Sequence, residues 1–229
     1  MAEIIVALDL PGGTEALRLL DRLPDARWVK VGSVLMTREG PALLRTLIDR
    51  GHAVFLDLKW HDIPNTVAVA VGGARDLGVS MVTVHSLGGS AMMEAAARAA
   101  GDALAVVGVT VLTSHDPASY GRAIGRDAVD LGTEVERLAG AAMTAGLAGV
   151  VCSPREIGLV RPLVGRGRVV VPGIRRLEDA AGDQVRVATA AAAAAQGATH
   201  LVVGRPVLEA ADPAAAYQAF LEEARCVPS

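Results

Sequence analysis

Short runs of β-branched residues alternate along this chain with longer amphipathic or alanine-rich runs, and the alternation repeats eight times. The first kind of run predicts a buried strand, and the second predicts a helix. We predict strands at residues 3–9, 27–32, 53–59, 80–85, 104–112, 148–152, 168–172 and 200–204. Helices are expected in the intervals, with turn and capping signals at residues 11–14 and 211–213.

Strands and helices in alternation indicate a parallel sheet covered by helices. Eight such units within 229 residues predict an α/β fold, a closed (β/α)8 TIM barrel, in a single domain spanning residues 1–229. The alternative is an open doubly wound sheet, but the turn after the first strand has no Gly-x-Gly-x-x-Gly for a dinucleotide. In a barrel the two long connections, residues 113–131 and 173–183, would lie at the catalytic face.

Composition argues against several classes of protein. The formal net charge is −3 with acids and bases interspersed, which argues against nucleic-acid binding. No apolar run reaches the roughly 20 residues of a membrane helix, and Glu3 and Asp9 stand where a leader peptide would be basic. Cys152 and Cys226 are too far apart for a CxxC metal site. We therefore expect a cytoplasmic protein with little need for cofactors.

Lysine is rare in this chain. Of 22 basic residues only Lys30 and Lys59 are lysines, and both fall near the ends of predicted strands. A lysine ammonium can donate a proton and changes its pKa with its surroundings, whereas an arginine is permanently charged. A general drift of the composition toward arginine is the alternative explanation. The placement of the two lysines therefore indicates proton transfer but does not establish it.

Charged residues cluster where the first three predicted strands end. Asp57 and Lys59 are two residues apart, so strand alternation predicts that both face the barrel interior. Lys30 on the second strand and Asp9 on the first add charges at the same mouth. Burying such charges is costly unless they are paired, which favours a functional array over a structural one.

Asp62 has two interpretations. It caps the next helix, with Pro64 in the first turn, or it joins the charged array, which is the favoured interpretation beside Asp57 and the lysines. A metal site built from His61, Asp57 and Asp62 is disfavoured because a neighbouring lysine would repel the cation.

The last two strands supply a candidate phosphate site. Gly204 and Arg205 end strand eight, where glycine permits close backbone approach and a helix N-terminus favours an anion. Arg175, on the loop after strand seven, either closes on the same phosphate or is a solvated charge. Gln184 offers a donor and an acceptor to a phosphate or a base amide. Thr113 offers a hydroxyl to a pyrimidine edge, or only starts a turn.

Taken together, these residues resemble the orotidine 5′-phosphate decarboxylase family. The matching pattern is Asp57-x-Lys59-x-x-Asp62-Ile63-Pro64-x-Thr66, with Ala7-Leu8-Asp9, Val29-Lys30-Val31-Gly32, Pro172-Gly173-Ile174-Arg175, Asp183-Gln184 and Gly204-Arg205-Pro206. The pattern runs through the chain in the family's order and is similar to its compact bacterial form. The resemblance implies a (β/α)8 barrel, usually a homodimer, that converts orotidine 5′-monophosphate to UMP and CO2 in pyrimidine biosynthesis without a metal or organic cofactor.

The resemblance also implies a role for each matching residue. Lys59 would protonate C6, Asp57 would face the substrate carboxylate, and Lys30 would link the array to the ribose. Asp62 would reach the site of the neighbouring subunit. The other expected substrate contacts are Asp9, Ile63, Thr66, Thr113, Arg175, Gln184, Gly204 and Arg205.

Three other functions remain open on the residues alone. A related sugar-phosphate lyase would share the Asp-x-Lys-x-x-Asp core and act on a keto-sugar phosphate with Mg2+ on the acids, although Ile63-Pro64-x-Thr66 argues against it. An aldolase would use Lys59 as a Schiff-base lysine. A nucleotide-binding sensor on the same barrel would have little use for so many opposed charges.

Overall fold

The computed structural model describes residues 1–176 and 188–225. Within these ranges eight parallel strands pair in sequence order, and β1 also pairs with β8, so the sheet closes into a barrel. The strands are β1 (Glu3–Ala7), β2 (Trp28–Gly32), β3 (Ala53–Trp60), β4 (Met81–His85), β5 (Ala105–Val109), β6 (Gly149–Val151), β7 (Arg168–Val171) and β8 (His200–Val203). The predicted (β/α)8 TIM barrel is confirmed, and the open sheet is excluded.

Helices cover the outside of the barrel. In the described ranges they are α1 (Gly13–Asp21), α2 (Ser33–Asp49), α3 (Pro64–Asp76), α4 (Ser90–Ala100), α5 (Pro117–Ala123), α6 (Leu131–Thr144), α7 (Ile157–Val164), α8 (Ala190–Ala195), α9 (Arg205–Leu208) and α10 (Pro213–Arg225). In α6 the buried residues Val135, Leu138, Ala139 and Ala142 recur at helical spacing and form one inward stripe. No helix in the described ranges is long and apolar enough to cross a membrane.

Several strands are shorter than predicted. The strand β1 ends at Ala7 and β5 at Val109, although the predicted runs continue to residues 9 and 112. One further hydrogen bond extends each pairing, because Leu8 N–H donates to a β2 carbonyl and Thr110 N–H to a β6 carbonyl. Beyond these bonds, Val111 and Leu112 leave the sheet and line the mouth of the barrel.

Alternation along the strands creates two cores. Outward residues such as Ile4, Val6 and Val29 pack under the helices. Most inward residues that fill the barrel are apolar, namely Ile5, Ala7, Trp28, Phe55, Met81, Ala105, Val107, Val170 and Val202; the buried His200 lies among them against Trp28. On the first four strands the next inward position is polar, and these positions are Asp9, Lys30, Asp57 and Thr83. The barrel interior is therefore mostly apolar, with a cluster of polar side chains at the C-terminal ends of the strands.

Candidate active site

A cavity of about 670 Å3 opens at the mouth where the strands end. Its walls are apolar toward the barrel interior, where Phe55, Val151, Val170 and Val202 lie. Eight of the residues predicted for the site line this cavity, namely Asp9, Lys30, Asp57, Lys59, Thr113, Arg175, Gly204 and Arg205. The fold thus brings together charges from the ends of three adjacent strands and two arginines, one at the start of α9 and one on the loop after β7.

Four of these side chains form a chain of alternating charge. Lys30 Nζ donates to Asp9 Oδ1 at 2.9 Å and lies 3.9 Å from Asp57 Oδ2. Lys59 Nζ lies 2.9 Å from both carboxylate oxygens of Asp57. The two inner members are largely shielded from solvent, with side-chain exposures of 11% for Lys30 and 13% for Asp57. Lys59, at 39%, is open to the cavity, so its ammonium is the one that a bound molecule can meet.

The strand β3 reaches the cavity through a bulge. Leu56 pairs with Val82 and Trp60 pairs with Val84, so three residues of β3 stand opposite the single residue Thr83. Lys59 has φ 50, and it is the one non-glycine residue with positive φ in the described part of the chain. Such a conformation costs roughly 1–2 kcal/mol for a residue with a Cβ. Strand alternation predicts that Lys59 faces inward; Lys59 does line the cavity, and its backbone reaches this position through the bulge and the positive φ.

Thr83 holds the bulge and was missed by the sequence analysis. Its hydroxyl accepts a hydrogen bond from Lys59 N–H at 2.7 Å and donates one to Asp57 Oδ1 at 3.0 Å. The residue is 1% exposed. A signal was present, because a threonine two positions after Met81 occupies an inward position on β4. The contacts of its side chain depend on the register between β3 and β4, and that register does not follow from local sequence patterns.

Three predicted residues lie outside the cavity wall of the single chain. Asp62, Ile63 and Thr66 are exposed on the surface around the start of α3. Asp62 Oδ1 accepts a hydrogen bond from the N–H of Ile63 at 2.6 Å, and Ile63 is the N-cap residue of α3 without a side-chain bond. Asp62 therefore stabilises the turn before α3. Within the single chain it neither caps the helix nor pairs with Lys30 or Lys59.

The arginines lie on the other side of the mouth. Arg205 begins α9 directly after Gly204, and Arg175 is mostly buried in the cavity wall. Ile174 forms a bridge with Ala188, and Arg175 N–H donates to the Ala188 carbonyl at 3.0 Å. This bridge and this hydrogen bond therefore join the backbone before residue 177 to the backbone after residue 187. Gln184, predicted for the phosphate end, lies outside the described residues.

A histidine pair borders the array. His85, at the end of β4, stacks on His61 with ring centroids 5.5 Å apart. Burial, with the positive fields of His61, Lys59 and His115, lowers the pKa of His85 to about 4. At neutral pH His85 thus adds no charge beside Lys59. In the described part of the chain no three His, Cys, Asp or Glu side chains cluster as a metal site would require.

Comparison with known proteins gives a consistent result. A family model described as "Orotidine 5'-phosphate decarboxylase / HUMPS family" matches residues 2–220. A protein of Halorhodospira halophila named orotidine 5′-phosphate decarboxylase is 51% identical over 230 residues, covering 96% of this chain and 94% of that protein. One of the same name from Alkalilimnicola ehrlichii is 52% identical over 220 residues, covering 94% and 93%.

A solved structure extends the likeness to three dimensions. The crystal structure of orotidine 5′-phosphate decarboxylase from Lactobacillus acidophilus superposes with a TM-score of 0.87 at 35% identity. The match covers 99% of this chain and all of that one. Family, sequence and fold therefore agree along nearly the whole length. This chain belongs to the orotidine 5′-phosphate decarboxylase family.

Proposed function

We propose that this protein removes CO2 from orotidine 5′-phosphate to form UMP, and that Lys59 supplies the proton that replaces the carboxylate at C6. The observation that carries the proposal is the alternating chain Asp9, Lys30, Asp57 and Lys59, with successive contacts of 2.9, 3.9 and 2.9 Å. Fixed charges at one wall of a cavity suit a reaction whose transition state is itself charged.

The chemistry requires such charges. When the bond between C6 and the carboxylate breaks, its electron pair stays on C6 in an sp2 orbital that the pyrimidine π system does not delocalise. Positive charge held near C6 is then the main means of stabilisation. The ammonium of Lys59 supplies that charge and donates its proton to C6, and the resulting amine takes a proton from water.

Asp57 and Lys30 have different roles in this proposal. Asp57 holds Lys59 by two contacts of 2.9 Å, and a substrate carboxylate placed beside it would be repelled until CO2 departs. Lys30, fixed between Asp9 and Asp57, keeps the buried carboxylate paired and orders the array. Only Lys59 must lose a proton, so only this position requires an amine.

The arginine side of the cavity suits the phosphate. Arg175 and Arg205 can each give parallel N–H donors to a phosphate, and Gly204 lets the substrate come close to the backbone. Barrels commonly bind phosphate at their seventh and eighth strands. Binding energy gained at this remote end is then available to hold the reacting carbon against Lys59.

We also propose that the working form is a homodimer in which Asp62 completes the partner's site. Asp62 lies on the surface beside Ile63, whose side chain is 66% exposed. Three more large apolar residues are exposed on the segments that follow β2, β3 and β4, namely Val34 at the start of α2, Val69 in α3 and Leu87 after β4. An apolar surface of this kind next to an incomplete site supports association of two copies.

One assay separates the proposed activity from its nearest competitor. Purified protein is mixed with orotidine 5′-phosphate, and the loss of its ultraviolet absorbance is followed with and without EDTA. We expect turnover that EDTA leaves unchanged. No turnover of the nucleotide, together with EDTA-sensitive turnover of a keto-sugar phosphate, would establish the magnesium-dependent lyase instead.

A further inference from the structure

Thr83 is the uncharged member of the polar layer that lies above the apolar interior of the barrel. It lies on β4 between Val82 and Val84, which both face outward into the main core. Its side chain therefore points inward, toward the layer above Met81. Thr83 does not line the cavity, so it acts on a bound molecule only through its neighbours.

The hydroxyl of Thr83 joins two parts of the charged array. It accepts the backbone N–H of Lys59 at 2.7 Å and donates to Asp57 Oδ1 at 3.0 Å. One of these contacts fixes the backbone that carries the ammonium, and the other fixes the carboxylate that the ammonium touches. A single buried oxygen thus sets the distance and angle between the two charges.

The bulge explains why this hydroxyl is needed. Between the pairs of Leu56 with Val82 and Trp60 with Val84, three residues of β3 face one residue of β4. Thr83 Oγ1 accepts the Lys59 N–H where a strand carbonyl would do so in a regular ladder, and a buried N–H without an acceptor is costly. The positive φ of 50 at Lys59 is sustained by this replacement bond.

We propose that Thr83 is a positioning residue for the reaction, holding Lys59 in its left-handed conformation and Asp57 in its orientation. The proposal rests on the proposed function, because it concerns how the proton donor is aimed. Thr83 does not line the cavity, so it makes no direct contact with a substrate bound there. Its loss therefore affects the chemical step more than it affects affinity.

Steady-state kinetics tests this with three variants. Thr83→Val removes the hydroxyl at nearly constant volume, and Thr83→Ser retains it. Thr110→Val is the matched control, because Thr110, directly after β5, is also fully buried and its hydroxyl donates to a backbone carbonyl, that of Val151. We expect Thr83→Val to lower kcat by about 30-fold, as for a lost hydrogen bond to a charged group, with KM within about threefold. Thr83→Ser should recover most of kcat, and Thr110→Val should keep it.

A second measurement does not depend on activity. Since the chain has two lysines, protein labelled with 15N-lysine gives only two backbone lysine amide signals, which Lys30→Arg assigns. In Thr83→Val the Lys59 amide should exchange with solvent at least about tenfold faster, and the Lys30 amide should serve as the unchanged reference. Thr83→Ser should restore slow exchange.

The outcomes separate the two proposals. A wild-type protein that does not decarboxylate orotidine 5′-phosphate would refute the proposed function, whatever the amides show. Normal wild-type turnover with an unchanged kcat in Thr83→Val would overturn the positioning role. So would unchanged protection of the Lys59 amide, or a Thr110→Val variant that loses as much kcat as Thr83→Val.

Discussion

Lys59 Nζ lies 2.9 Å from both oxygens of the carboxylate of Asp57, which precedes it by two residues on β3. The bulge in β3 and the positive φ of Lys59 turn the ammonium back toward its neighbour. One carboxylate is therefore shared between two ammonium groups, since Lys30 lies 3.9 Å from the same group. The array behaves as a unit, and removal of any charge changes the others.

Asp57→Asn should abolish most of the activity. The variant keeps the shape of the side chain but leaves Lys30 and Lys59 without the shared anion, so two like charges face each other. We expect kcat for orotidine 5′-phosphate to fall by at least about 100-fold, measured by ultraviolet absorbance. Asp21→Asn is the control, because Asp21 pairs with Arg50 on the surface away from the cavity. Equal losses in both variants would contradict the account.

Arg205→Ala should act mainly on affinity. Removing a guanidinium from the phosphate side leaves the charged array intact, so KM should rise at least about tenfold with a smaller change in kcat. For orotidine, which lacks the phosphate, kcat/KM should be almost the same in the variant and the wild type. Arg98→Ala, which breaks an exposed pair with Glu94, is the control and should change neither constant. An equal loss of kcat/KM for orotidine 5′-phosphate and for orotidine would show that Arg205 does not act through the phosphate.

Mixing two inactive variants should restore activity if Asp62 acts on its partner. A dimer of one Lys59→Ala chain and one Asp62→Ala chain holds one site with both native residues. After random exchange of subunits, turnover should reach about one quarter of the wild-type value. Each variant incubated alone provides the control. No recovery in a mixture shown by sedimentation to contain dimers would mean that Asp62 serves its own chain.

Acid should destabilise the fold through two histidines with lowered pKa values, the buried His200 and the partly buried His85. Burial lowers the pKa of His200, inside the barrel against Trp28, to about 4, and that of His85 likewise. Both are neutral when folded, so the unfolded chain binds more protons between pH 6.5 and 4. The contribution of these two histidines to the free energy of unfolding is complete above pH 6.5 and is lost as the pH falls toward 4.

Thermal unfolding between pH 7.5 and 4.5 tests this, with one transition expected for a single domain. His200→Asn should flatten the decline in Tm with falling pH, even if its Tm is lower throughout. His52→Asn, at a half-buried site outside the barrel, should keep the wild-type slope. An unchanged slope in His200→Asn would show that this histidine does not couple protons to folding.

Much of the fold and part of the site could be predicted because they follow from local patterns. The eight β-branched runs specify the strands, and the alanine run forms α8 (Ala190–Ala195) with Thr189 as its cap. Strand-end charges such as Asp9 and Lys30 face the cavity because parallel strands end at a common mouth. Two features could not be predicted, since the bulge and the role of Thr83 depend on the register between β3 and β4.

The central claim is that Lys59 donates the proton to C6, and Lys59→Arg tests it most directly. Arginine keeps the positive charge but, because its pKa is far above that of lysine, it is a very poor proton donor. The measurement is the rate of orotidine 5′-phosphate decarboxylation, with UMP affinity showing that the site is still formed. The account predicts a loss of at least about 100-fold in kcat with UMP binding within about tenfold of the wild type. Turnover by Lys59→Arg within tenfold of the wild-type rate would contradict it.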